Sequence, residues 1–258
     1  RTAYVKAYLL DKIDNIAFCH KRPSVVIFPG GGYEFCSDRE GEPIALQYLA
    51  KGFNAFVLYY TTNKQYPSAF LDAAYAFYKI RQRAEQFSID PEKMAVVGMS
   101  AGGHLAGCLA TMWNDVTINK TVGCQPHEIR PNAAVLCYPV ISGITSPHIG
   151  SFDVLLGKKA PRSELSRLSL ENRVTPKTPP VFLWHTADDD CVSAHNSLVM
   201  AKACISNKVP VELHVFDHGP HGLSDCSKST GWHSEFYETD CKQWIELSVK
   251  FLEKYLKV

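Results

Sequence analysis

Seven short runs of apolar, β-branched or aromatic residues recur along the chain: AYVKAYL (3–9), SVVIFP (24–29), NAFVLYY (54–60), KMAVVG (93–98), NAAVLCY (132–138), PVFLWHT (180–186) and PVELHVF (210–216). The first alternates, as an edge strand with one wet face does. The others read as strands buried on both faces. Between them, the segments 39–52, 67–87, 101–113, 194–206 and 234–256 carry apolar residues at a spacing near 3.6, which predicts crossover or flanking helices. Strands alternating with helices predict a mostly parallel sheet covered on both faces. Residues 142–178 break this rhythm and are rich in Ser, Pro and Lys, so they read as a small insertion over one end of the sheet. The whole of 1–258 is expected to form one domain.

Composition narrows the partner. With 46% hydrophobic and 21% charged residues the chain has the makings of a packed core and lies far from the disordered class. A net charge of +1 without a Lys/Arg cluster supplies no long-range attraction to nucleic acid or an anionic membrane, which leaves a small molecule as the expected partner. Nine cysteines are scattered without a CxxC pair, and no ligand cluster has metal spacing, so neither a metal nor a cofactor is expected. The odd cysteine count, with several in apolar runs such as AAVLCYP, predicts reduced thiols and a cytoplasmic location. No stretch is apolar for long enough to span a bilayer, and residues 1–22 lack the apolar centre of a signal peptide; a start at Arg1 leaves room for a leader removed upstream.

The chemistry concentrates at three places. VVGMSAGGH is strand, then G-x-S-x-G, then helix, with Gly98 and Gly102 flanking Ser100 at the spacing of a nucleophile elbow. Such a turn lifts the Ser100 hydroxyl above the sheet at a helix start, where free N–H groups favour a developing negative charge. Upstream, VVIFPGGGYEF places Gly30, Gly31 and Gly32 directly after a strand, where main-chain N–H groups reach a ligand without side-chain obstruction. Gly30 and Gly31, with the N–H of Ala101 after the nucleophile, are the expected oxyanion donors. Tyr33, beside the glycines, and the 142–178 insertion are expected to contact substrate. A serine hydroxyl needs a base, and the base needs a carboxylate. FLWHTADDDCV offers Asp188, Asp189 and Asp190 after one strand; VFDHGPHGLS offers His218 and His221 after the next. Chain order sets aside the five histidines before Asp188, with His104 expected to pack on the helix behind the elbow. Of the loop pair His221 is preferred, because Gly222 lets its loop approach Ser100.

Taken together, PGGGYEF, REGEPIALQYLAKGFNAFVLYY, GMSAGGHLAG, YPVIS, SLENRVTPKTPPVFLWHTADDDCV and GPHGLS resemble the acetyl-xylan-esterase-like, BD-FAE-type carboxylesterases of the α/β-hydrolase superfamily, related to the hormone-sensitive-lipase branch. The resemblance runs through nearly the whole chain. It implies a three-layer α/β-hydrolase fold with a small insertion in place of a large cap, and a cofactor-free serine esterase acting on short acyl esters, acetylated sugars and xylo-oligosaccharides included. It also selects the acid: the family pattern of His, three residues, acid, two residues, Val is matched by His185 and Val192 around Asp189, with Asp188 as the runner-up. The chain departs from its lipase-like relatives in having Pro29 before the three glycines and Ser193 after the acid loop. Two rivals stay open, an arylformamidase or peptidase on the same triad and a non-catalytic ligand-binding relative.

Overall fold

The computed structural model describes residues 3–237 and 239–258. Arg1 and Thr2, at the start of the expected 1–258 domain, and Glu238, within the last expected helix, lie outside the described residues.

Among the described residues, seven strands form one sheet: β1 (Tyr4–Tyr8), β2 (Arg22–Phe28), β3 (Asn54–Tyr59), β4 (Ile89–Met99), β5 (Ala133–Cys137), β6 (Val181–Thr186) and β7 (Val211–Phe216), in the order β1-β3-β2-β4-β5-β6-β7. β1 runs antiparallel to β3, and every other neighbouring pair is parallel. The near-continuous apolar runs of β2 to β6 arise because successive side chains enter different layers. On β2, Val25 and Ile27 pack toward one layer while Val26 and Phe28 pack toward the other.

One layer holds α1 (Glu42–Leu49) and α5 (Trp244–Leu256), whose Ile44, Tyr48, Val249 and Leu252 cover that face. The other holds α2 (Ser68–Gln82), α3 (Ala101–Met112) and α4 (His195–Ser206), through Phe70, Phe77, Leu105, Leu109 and Met200. Each such side chain, fully buried, contributes roughly 1.5–3 kcal/mol. Trp184 of β6 stacks on Trp244 at 5.4 Å, tying the sheet to α5.

Four local expectations are corrected. β7 is half-buried, because it is the far edge of the sheet and has a neighbour on one side only. The segment 39–52 is not one helix: Pro43 lacks an N–H and fits only a first turn, so α1 starts at Glu42 after a separate 3₁₀ turn at Asp38–Glu40. The segment 234–256 becomes helical in full only at Trp244; Ser234–Phe236 and Asp240–Gln243 are 3₁₀ turns, and the Thr239 side chain accepts the Cys241 N–H, a local bond that competes with helix. The 142–178 insertion contains two helices, Ile149–Leu156 and Arg162–Leu168. No helix among the described residues is long and apolar enough to cross a membrane.

The sheet order reverses at β2 and β4, since β2 leads to β3 on one side and β4 continues on the other. Phe28 pairs with Gly98, so the carboxyl ends of β2 and β4 lie side by side. Open α/β sheets bind ligands at this kind of reversal.

Candidate active site

Ser100 joins β4 to α3 with φ 53° and ψ −120°, a conformation that a side-chain-bearing residue adopts only when its surroundings hold it. Its N–H donates to Cys137 O at 3.0 Å, and its carbonyl accepts from Val140 N at 3.1 Å, so the end of β5 and the residues after it clamp the turn. The glycines follow from contact distances. A Cβ on Gly98 would lie 2.2 Å from Gly102 O, and one on Gly102 would lie 2.0 Å from Phe28 O.

A hydrogen-bonded line leads away from the serine. The Ser100 hydroxyl donates to His221 Nε2 at 2.8 Å, and His221 Nδ1 donates to Asp189 Oδ2 at 2.7 Å. The other oxygen of Asp189 accepts the N–H groups of Cys191 at 3.0 Å and Val192 at 2.8 Å. Burial pushes the Asp189 carboxyl upward, but hydrogen bonds from His185 and His221, with the Val192 N–H, outweigh it and hold the group well below the usual carboxylate range. His185 is fully buried and is itself oriented by the Ser197 hydroxyl and Val192 O. His221 packs edge-to-face with Tyr138, ring centroids 5.2 Å apart and planes at 74°.

The structure thus brings Ser100, Asp189 and His221 together, with Gly31 lining the same cleft and Ala101 at the first position of α3. Two expected site residues are engaged otherwise. The Gly30 N–H donates to Glu40 Oε2 at 2.8 Å, so it is not free to bind an oxyanion. Gly32, one step further, lines the cleft with Gly31 and Ser100. Tyr33 is buried, with its hydroxyl donating to His104 Nδ1 at 2.8 Å and its ring tilted against Tyr60. A left-handed φ of 65° at Tyr33, following positive φ at Gly31 and Gly32, turns this side chain inward, away from the cleft. His104 packs behind the elbow, as its helix position predicts, with Nε2 donating to Leu168 O at 2.9 Å.

Glu40 escaped the sequence reading. It sits in REGE, which reads as a solvated helix start, yet its side chain is buried and both oxygens accept: one from Gly30 N–H, the other from the Tyr138 hydroxyl at 2.7 Å. Burial and the Glu40 carboxylate push the Tyr138 hydroxyl far up, which keeps it a donor. The Tyr138 oxygen in turn accepts Ser224 N–H at 3.0 Å. Glu40 therefore joins the glycine loop, the residue packed on His221 and the loop beyond His221.

A cleft of about 480 Å³ opens over Ser100, within the range of small-molecule sites. Beyond the relay, Phe35, Arg39, His148, Cys191 and Trp232 line it. His148 belongs to the insertion, and burial followed by the nearby His221 lowers its pKa. Among the described residues, no group of three or more His, Cys, Asp or Glu side chains is arranged to hold a metal ion.

Comparison with known proteins agrees with this architecture. The BD-FAE family model matches residues 17–204. Among curated proteins, endo-1,4-beta-xylanase B of Butyrivibrio fibrisolvens is 36% identical over 227 residues, covering 85% of this chain and 36% of the xylanase. An acetylxylan esterase of Xylanibacter ruminicola is 29% identical over 224 residues, covering 82% of this chain and 44% of the esterase. The chain thus spans less than half the length of these relatives. Among solved structures, the acetyl ester-xyloside bifunctional hydrolase of Caldicellulosiruptor lactoaceticus is 37% identical with a TM-score of 0.84, covering 98% of this chain and 88% of that one. The architecture is the α/β-hydrolase fold.

Proposed function

The chain belongs to the BD-FAE family, and from that premise we propose that it is a serine carboxylesterase cleaving short acyl esters, acetyl esters of sugars foremost, through Ser100, His221 and Asp189. The observation that carries this reading is the unbroken line from Asp189 to His221 to Ser100 at 2.7 and 2.8 Å, ending beside the glycine loop and the start of α3. The esterase and xyloside-hydrolase names of similar proteins point to the acetylated sugar. One seven-stranded sheet carries all of these residues, which favours a single catalytic domain and a small-molecule ester as its partner.

Chemistry follows from the donor and acceptor roles. Ser100 Oγ attacks the ester carbonyl carbon as its proton passes to His221 Nε2, and Asp189 stabilises the imidazolium. The carbonyl oxygen becomes an oxyanion held by main-chain N–H groups of Gly31, Gly32 and Ala101, with Gly30 replaced because its N–H is bound to Glu40. The tetrahedral centre collapses, the carbon–alkoxy bond breaks, and His221 returns its proton to the leaving alcohol. Water then attacks the acyl-serine, giving a proton to His221; the bond to Oγ breaks, the acid leaves, and Ser100 regains its proton.

The reading is tested by reacting the chain with a fluorophosphonate and mapping the adduct, beside acetyl ester turnover and an N-formyl anilide control. An adduct on Ser100 with faster ester turnover is expected. A chain that hydrolyses acetyl esters without Ser100 overturns it.

A further inference from the structure

Trp232 is 72% exposed, unusual for so large an apolar surface, and it lines the cleft over Ser100. It is nevertheless held firmly. The Arg39 guanidinium lies 3.8 Å from the centre of its ring, and Phe236 packs against it edge-to-face, with ring centroids 5.1 Å apart and planes at 76°. Arg39 is itself fixed: it donates to Thr230 O through Nε and to Gly222 O at 2.9 Å, while its own carbonyl accepts from Ser224 Oγ at 2.5 Å. A guanidinium so engaged is a backing for an aromatic face, not an anchor for an anionic ligand.

The location identifies which part of a substrate lies here. In acyl transfer the base returns its proton to the leaving oxygen, so the alcohol portion of the ester must lie on the His221 side. Arg39 ties Trp232 to that side directly, because the carbonyl it grips belongs to Gly222, the residue after His221. The site combines a rigid, exposed aromatic surface with polar side chains from Glu34, Ser37 and His148 around the same cleft. An apolar face beside hydrogen-bonding groups suits an uncharged ring that presents C–H bonds on one face and hydroxyls at its rim.

We infer that Trp232, backed by Arg39, is the platform on which the sugar ring of the leaving alcohol stacks, making it a specificity-determining residue for acetylated pyranosides. The inference rests on the serine esterase reading of Ser100 and His221.

The experiment compares kcat and KM of the native chain, Trp232→Phe and Trp232→Ala on an acetylated methyl xyloside and on ethyl acetate, whose leaving alcohol has no ring. Trp232→Ala should raise KM for the xyloside about tenfold, the loss expected of one aromatic stacking contact. Ethyl acetate kinetics should stay within twofold, and Trp232→Phe should keep most of the xyloside affinity. Equal losses on both esters would assign Trp232 a merely structural role and overturn the inference, as would unchanged KM on the xyloside or a native chain that hydrolyses only ethyl acetate. A native chain that hydrolyses neither ester, and whose Ser100 takes no fluorophosphonate, fails the underlying reading instead.

Discussion

Asp188 and Asp189 are adjacent in the chain yet hold different histidines: Asp188 binds His218 at the surface, while Asp189 accepts from His221 at 2.7 Å with its side chain fully buried. Two His–Asp pairs thus stand next to one another. Only one of them reaches a serine, because the Ser100 hydroxyl donates to His221 Nε2. The carboxylate of Asp189 also takes two main-chain N–H groups, which fixes its direction before any substrate arrives. Replacing Asp189 with Asn should therefore stabilise the wrong imidazole tautomer and cut kcat by roughly 10⁴. Asp188→Asn should stay within about threefold, as for a solvent-exposed pair. Measuring kcat for both, after confirming that each is folded, decides it: collapse in the Asp188 variant beside near-normal Asp189→Asn turnover would move the acid by one residue.

The histidines should separate in the same way. In the proposed mechanism His221 carries the proton in both half-reactions, so His221→Ala should lower kcat by at least roughly 10⁴. The His218 side chain is 70% exposed, and its Nδ1 serves Asp188. His218→Ala should therefore leave kcat nearly unchanged. A reversed ranking in steady-state assays would assign the base to His218.

Glu40 should matter although it makes no covalent chemistry. Glutamine in its place keeps one acceptor oxygen where the carboxylate has two, so either the Gly30 N–H or the Tyr138 hydroxyl meets an amide N–H, and the network that holds the glycine loop must shift. A misplacement on the order of 1 Å costs roughly 10²-fold in rate. Glu40→Gln is thus expected to lower kcat by about that factor with KM little changed, because the oxyanion forms only after the ester has bound. If KM rises and kcat holds, Glu40 shapes substrate binding and not the oxyanion loop.

His104 makes stability depend on pH. Burial lowers its pKa from 6.5 to about 4, with Tyr33 and Leu168 satisfying the neutral ring. Between those values the unfolded chain binds a proton that the folded chain refuses, so this contribution to stability is whole above pH 6.5 and diminishes as pH falls toward 4. Urea midpoints at pH 7.5 and pH 5 should differ less for His104→Gln than for the native chain. An identical pH slope in the two proteins would remove His104 from the account.

The alternation of β-type and helical runs reveals the sheet and its layers, because period 2 and period 3.6 are properties of neighbouring residues and survive in the sequence. The elbow at Ser100 is legible for the same reason: Gly98 and Gly102 are needed by backbone contacts within a few residues or across one adjacent strand. His221 and Asp189 are reachable from chain order and resemblance, since both follow strands whose carboxyl ends must meet at one edge.

Other features depend on partners far away in the chain. Whether the Gly30 N–H faces a ligand depends on Glu40, whose burial looks improbable in a charged segment, and on Tyr138, which joins Glu40 from the end of another strand. Tyr33 stands next to the glycines in sequence, yet the positive φ angles of its loop turn it toward His104. Trp232 comes from an irregular segment with no periodicity and acquires its place only when Arg39 grips Thr230 and Gly222. Periodicity records which face of an element is apolar. It carries no information on which polar group from a distant loop will satisfy a given donor, and that choice is made when the layers close and a buried polar group left without a partner carries a cost.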